Sequence, residues 1–197
     1  MITYQGRIEA LCLGPEDILG KQPRQSLYFA LDGIADDRHA GFERDTWDEG
    51  DKQPAGIRRR NERLWSAVST EELAQMTEDM GLASPLTASA LGANIEISGV
   101  PEFSRLTKGS ILALPSGAEL IVEEYNPPCR HMGESIAEAF KAQNGTTPTA
   151  AGFLKAAQLT RGIVGVVDVA GEIQVGDAVK VTLYQPPKIL MHSALQV

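Results

Sequence analysis

The chain has 197 residues, 18 basic against 26 acidic side chains, a net charge of −8 and two cysteines, Cys12 and Cys129. A hydrophobic content of 43% and a charged content of 22% exclude a disordered or collagen-like chain and predict a single domain over residues 1–197, long enough to need no disulfide or metal staple. The acidic balance argues against a nucleic-acid-binding face, and no apolar run is long enough to cross a bilayer.

In chain order, most segments read as short strands between turn residues. Residues 7–13 are apolar and β-prone, and Gly14-Pro15 stops them. The charged tract Phe42–Arg63 follows, with 12 charges in 22 residues, six of each sign. Its acidic half (Glu43, Asp45, Asp48, Glu49, Asp51) reads as a solvated loop. Its arginines, Arg58-Arg59-Arg60 and Arg63, run into an element at residues 64–68.

Ser69 with Glu72 forms a capping-box pattern ahead of Leu73, Met76 and Met80 on one helical face, and Gly81 serves as the stop. Residues 92–99 alternate between glycines as a half-buried strand does. Residues 110–114 and 118–124 flank Pro115-Ser116-Gly117 and predict a hairpin. Helices are predicted over 134–142 and 150–159. Residues 162–169 and 172–175, around Ala170-Gly171, predict a second hairpin, and 178–184 a last strand. The expected class is mainly β with a few helices, α+β, built as a barrel or sandwich.

Three constellations carry chemistry. The first is Tyr125-Asn126-Pro127-Pro128-Cys129-Arg130-His131. Two prolines stiffen the approach to a thiol followed by cationic side chains, and a thiol reacts as the thiolate that nearby positive charge favours. An ordinary semi-buried cysteine is the plain alternative. Cys12, between Leu11 and Leu13, reads as a small core residue.

The second is Asp32-Gly33-Ile34-Ala35-Asp36-Asp37-Arg38-His39-Ala40-Gly41, where four consecutive ionisable side chains sit between turn glycines. The third is Arg161-Gly162-Ile163-Val164-Gly165, whose glycines mark either bulges or a close ligand approach, bulges being the better reading. Although the chain is acidic, it carries 11 arginines to 7 lysines. Arg38, Arg60, Arg63, Arg130 and Arg161 all fall in or beside these segments, which suits a small anionic ligand. Three histidines with no Cys-x-x-Cys or His-Glu-x-x-His pattern give no zinc site. A cysteine hydrolase pairing Cys129 with His39 or His131 has no supporting signature.

Taken in order, these segments resemble the MOSC family, the C-terminal domain of molybdenum-cofactor sulfurases that also occurs as small stand-alone proteins. The pieces are Gly33–Gly41, Arg60–Ser69, Leu91-Gly92-Ala93-Asn94-Ile95, Pro128-Cys129, and Arg161–Gly165 leading to Gly171 and Gly176-Asp177. The chain departs from the pattern at Asp36, where many relatives have glycine, and in the 42–58 insert.

The resemblance implies a MOSC-type β-barrel. It implies that Cys129 carries sulfur as a persulfide or ligates the molybdenum of a bound pterin cofactor, with Arg38, His39, Arg60, Asn94, Arg130 and Arg161 as cofactor-binding candidates. A molybdopterin-dependent reductase of N-hydroxylated compounds and a non-catalytic binding module on the same fold are the alternatives. The implied partners are a cysteine desulfurase, which would carry any pyridoxal phosphate, a molybdoenzyme, or an electron-transfer protein. The N-terminus lacks the layout of a secretory signal and two cysteines form no disulfide framework, so the expected compartment is the cytoplasm.

Overall fold

The computed structural model describes residues 2–14, 19–47, 51 and 53–187. Pro15, Asp48, Glu49, Lys52 and His192, all of which entered the sequence reading, lie outside the described residues.

The strands are β1 (Thr3–Leu13), β2 (Gln22–Arg24), β3 (Ser26–Ala30), β4 (Gly33–Ile34), β5 (Glu43–Asp45), β6 (Arg58–Arg60), β7 (Trp65–Ser69), β8 (Ile95–Ser98), β9 (Ile111–Ala113), β10 (Glu119–Tyr125), β11 (Ile163–Val169), β12 (Gly171–Gln174) and β13 (Ala178–Thr182). The helices are α1 (Thr70–Asp79), α2 (Arg130–Ala139) and α3 (Ala150–Ala156), with a short 3₁₀ turn at Phe103–Arg105.

Seven strands run in the order β13-β9-β10-β11-β7-β8-β1, and β1 pairs back onto β13 to close a barrel; β2 is added to the far half of β1. Closure satisfies both edges of the seven barrel strands. Among the described residues the one parallel pair in the barrel is β7–β8, and α1 supplies the crossover that a parallel pair requires. Two small sheets lie beside the barrel, β12-β3-β4 and β5-β6.

Burial follows the chemistry of the residues. The barrel is filled by Ile8, Leu11, Trp65, Ile95, Ile97, Leu112, Leu120, Val122, Ile163, Val179 and Val181 among others, and Phe29 and Ile173 bring the β12-β3-β4 sheet onto the same core. A second cluster (Leu73, Met76, Leu91, Met132, Ile136, Phe153) packs α1, α2 and α3 together. The indole of Trp65 fits because residue 165 is glycine. A Cβ there would sit 2.3 Å from the Trp65 ring and 2.0 Å from the Ile121 carbonyl oxygen. The β10–β11 register shifts beside it, between Val122 and Glu124, but the extra residue is Glu123 on β10, so Gly165 itself marks close packing rather than the expected bulge.

The 110–124 hairpin forms as β9–β10. Ser69 caps α1, accepting from the Glu72 N–H at 3.3 Å, but Glu72 does not reach back; its carboxylate takes the Ser104 N–H and hydroxyl instead. Helix α2 begins four residues earlier than its sequence pattern predicts, because Cys129 itself is the N-cap.

The hairpin expected at 162–175 does not form. Strand β12 pairs with β3, because both edges of β11 are already taken by β10 and β7. The charged tract is not a solvated loop throughout. Strands β5 and β6 pair within it, and the side chains of Asp51 and Glu62 are buried against Arg44 and Arg59.

Candidate functional site

The end of β10, the start of β11 and the turn before β8 converge on a cleft of about 980 Å³. That volume is ample for a small-molecule or cofactor site. Pro127 and Pro128 carry the chain out of β10 to its rim. At the tip of α2 sits Cys129, exposed, its Sγ accepting the Met132 N–H at 3.5 Å. Among the described residues neither His39 nor His131 hydrogen-bonds to this sulfur, so the hydrolase pairing is not formed. Cys12 is buried in the helical cluster, and burial pushes its thiol up to about 11. The two cysteines therefore stand in opposite environments.

Facing Cys129 is Arg161, 94% buried by its 6% exposure. It follows Leu159, which has a left-handed φ of 62°, and precedes Gly162, where a Cβ would sit 2.0 Å from the Ala67 carbonyl oxygen. Its Nη2 donates to the Leu91 carbonyl at 2.7 Å, and among the described residues its Nη1 has no hydrogen-bond partner. Burial lowers this guanidinium to about 10, opposed by the charge of Cys129, so it stays cationic at neutral pH. A buried guanidinium with an unused donor edge is costly unless an anion meets it.

Arg38, Arg44, Arg63 and Arg130 also line the cleft, against the carboxylates of Asp51 and Glu124. Arg38 donates to the Leu19 carbonyl at 2.8 Å. Arg63 donates to Asn126 Oδ1 at 2.7 Å, and the Asn126 backbone N–H is tied to the Gly162 carbonyl. Arg130 is at the mouth, paired with Glu134 at 2.8 Å. His39 lines the wall, with its Nδ1 3.2 Å from Asp37 Oδ1.

Of the candidates read from the sequence, Cys129, Arg38, His39, Arg130 and Arg161 come together in this cleft. Two do not line it. Arg60 points outward on β6, whose side chains alternate, and pairs with Glu123 at 2.7 Å. Asn94 is fully buried and bonds to Cys12, Asp37 and Ser66, behind the cleft wall.

Sequence reasoning missed Arg44, Trp47, Asp51 and Asn126. The guanidinium carbons of Arg44 and Arg63 lie 4.0 and 5.3 Å from the Trp47 ring centroid, within cation–π range. A tryptophan inside a densely charged tract was the available signal, since solvated loops seldom need one. Among the described residues no helix is long and apolar enough to cross a membrane.

The sequence pattern of the MOSC domain matches residues 37–180. The chain is 36% identical over 162 residues to YuaD of Bacillus subtilis (strain 168), a protein named for a proposed role in metal-sulfur cluster biosynthesis; the match covers 81% of each chain. The crystal structure of YuaD superimposes with a TM-score of 0.86 at 30% identity, over 93% of this chain and 99% of that one. YiiM from Geobacillus stearothermophilus superimposes at 0.61 and 18% identity, over 90% of this chain and 75% of that one, which shows a shared fold.

Proposed function

This chain belongs to the MOSC domain family, and from that premise we propose that its cleft binds the molybdenum cofactor, with Cys129 as the thiolate ligand of the metal. The carrying observation is the pairing of an exposed Cys129 with the buried, half-satisfied Arg161 in one cleft. The donor set suits the group. A thiolate is a soft ligand for a transition metal, and guanidinium groups match a phosphate with two parallel hydrogen bonds.

Within this reading Arg161 and Arg38, fixed by bonds to Leu91 and Leu19, hold the cofactor's phosphate, while Arg130 screens its charge at the mouth. Pro127 and Pro128 keep the Cys129 backbone from moving when the sulfur is engaged. Bound there, the cofactor supplies a metal that takes up and returns electrons. A reductase of N-hydroxylated compounds, served by an electron-transfer protein, is the catalytic form of this proposal.

The test is to prepare wild type, Cys129→Ala and Arg161→Met from a host that makes molybdopterin, then measure molybdenum and pterin per chain. Wild type is expected to carry both. Cys129→Ala should lose molybdenum, and Arg161→Met should lose pterin as well. Negligible content in wild type and variants alike overturns the proposal.

The exposure of Cys129 at a helix tip favours one second reading, a persulfide carrier. The thiolate would attack the outer sulfur of a cysteine desulfurase persulfide, forming Cys129 S–S⁻ as the donor thiolate leaves. Any pyridoxal phosphate belongs to that partner. Labelled sulfur from such a desulfurase should appear on Cys129 and be absent from Cys129→Ala; an unlabelled wild type ends this reading.

A further inference from the structure

Asp37 is buried at the back of the cleft wall, with its side chain wholly covered. Its Oδ2 takes the Lys21 ammonium at 2.7 Å and the Asn94 Nδ2 at 2.8 Å. The Asn94 amide cannot be turned over, because its Oδ1 accepts the Ser66 N–H at 3.1 Å while Nδ2 also donates to the Cys12 carbonyl. Asp37 Oδ1 takes the His39 backbone N–H at 3.1 Å and faces His39 Nδ1 at 3.2 Å. A carboxyl receiving an ammonium and two amide donors is ionised and has nothing to donate. The proton of the Nδ1 contact must therefore sit on the imidazole. In a neutral ring that leaves Nε2 bare.

The His39 side chain is 31% exposed and lines the same cleft as Cys129, and none of the described residues hydrogen-bonds to Nε2. Asn61 Nδ2 fixes the loop by donating to the carbonyls of His39 and Gly41 at 2.7 and 2.9 Å. Free histidine prefers the opposite tautomer, with the proton on Nε2, so Asp37 imposes the arrangement.

We propose that His39 and Asp37 form a second functional centre of the cleft, in which Asp37 is the positioning residue and His39 Nε2 accepts a hydrogen bond from an N–H or O–H group of the bound molecule. This rests on the cofactor reading for the identity of that molecule, and it adds the polarity the molecule must present at this wall. Lys21 serves the centre by keeping Asp37 ionised. Burial and the positive charges of Lys21 and Arg63 hold His39 below its ordinary value against the pull of Asp37, which supports a neutral ring at pH near 7.

Long-range ¹H–¹⁵N correlation on labelled wild type reads the tautomer directly, and loss of one of three histidine patterns in His39→Gln assigns it. A protonated Nδ1 with an unprotonated Nε2 is expected; a proton on Nε2, or an even mixture, overturns the proposal. Diethyl pyrocarbonate acylates unprotonated ring nitrogen, so peptide mapping should find His39 modified in the apo protein. An unmodified His39 beside a modified His131 overturns it as well.

The role of Asp37 is tested in Lys21→Met/Asp37→Leu, which removes the buried pair together. The His39 proton should move to Nε2 in this variant, and an unchanged tautomer in a folded variant refutes the positioning role. Should that variant not fold, the wild-type spectrum still decides the tautomer. Cofactor-loaded wild type should be protected at His39, and equal acylation of loaded and apo protein refutes the contact. Absence of pterin from wild type would defeat the cofactor reading and leave the tautomer result standing by itself.

Discussion

Burial pushes the Cys12 thiol up to about 11, while Cys129 is exposed at the tip of α2. Iodoacetamide at about pH 7 should therefore label folded protein once, on Cys129, because reactivity follows thiolate fraction and access. Cys12 should react only after denaturation, and Cys129→Ala should remain unlabelled when native. Intact mass with peptide mapping reads the result, and native labelling of Cys12 contradicts it. Position 36 shows the same dependence of a residue on its surroundings. The sequence departs there from the glycine of many relatives, yet Asp36 has a φ of 64°. The loop keeps the left-handed turn a glycine would take, and aspartate is one of the few residues that tolerate it. The loop that carries Asp37, Arg38 and His39 therefore turns on a left-handed aspartate.

Arg44 on β5, together with Asp51, brings charges from one tract onto the cleft. Arg44 bonds Asp51 at 2.6 Å and Glu62 at 2.8 Å, and Arg59 bonds Asp51 at 2.9 Å. Arg44→Ala strips both carboxylates of their main partner and removes a stacking contact from Trp47. A loss of about 1–3 kcal/mol is expected, seen as a lower urea midpoint with an unchanged slope. A shift within error would mean that these pairs are as weak as surface ion pairs. This tract also shows where sequence reading stops. Its partners are 7 and 18 positions apart, so no local period announces that they pair. Alternation on β6 turns Arg59 inward and Arg60 out, but in a run of three arginines the phase cannot be read beforehand. The β9–β10 hairpin was legible because its turn chemistry is local. The β12–β3 pairing was not, being set by which barrel edges were already filled. Cys129 was legible from its prolines and cationic neighbours, whereas Asn126, one residue ahead of them, acts through a bond to Arg63 that no spacing encodes.

At the scale of the molecule, an apolar barrel core and an apolar helical cluster are accompanied by a buried polar chain, Lys21–Asp37–Asn94–Ser66. That chain makes stability respond to acid. Burial opposes the ionised form of Asp37, but His39 and Lys21 outweigh it and hold its carboxyl well below the usual carboxylate range. Because the folded value lies below the unfolded one, the stability from Asp37 is complete above about pH 4 and is lost as pH falls beneath it. His39 adds an earlier stage. Burial depresses its folded value, so the unfolded chain gains a proton that the folded one does not as pH drops below about 6.5. Each group gives a slope of at most about 1.4 kcal/mol per pH unit. Urea midpoints measured from about pH 7 to pH 3 should fall in two stages, the first missing in His39→Gln and the second reduced in Lys21→Met/Asp37→Leu. Because well-packed apolar replacements of a buried ion pair are often neutral at pH 7, the double variant should overtake wild type on the acid side. Parallel curves for the two proteins below about pH 4 would show that Asp37 does not govern the acid limb.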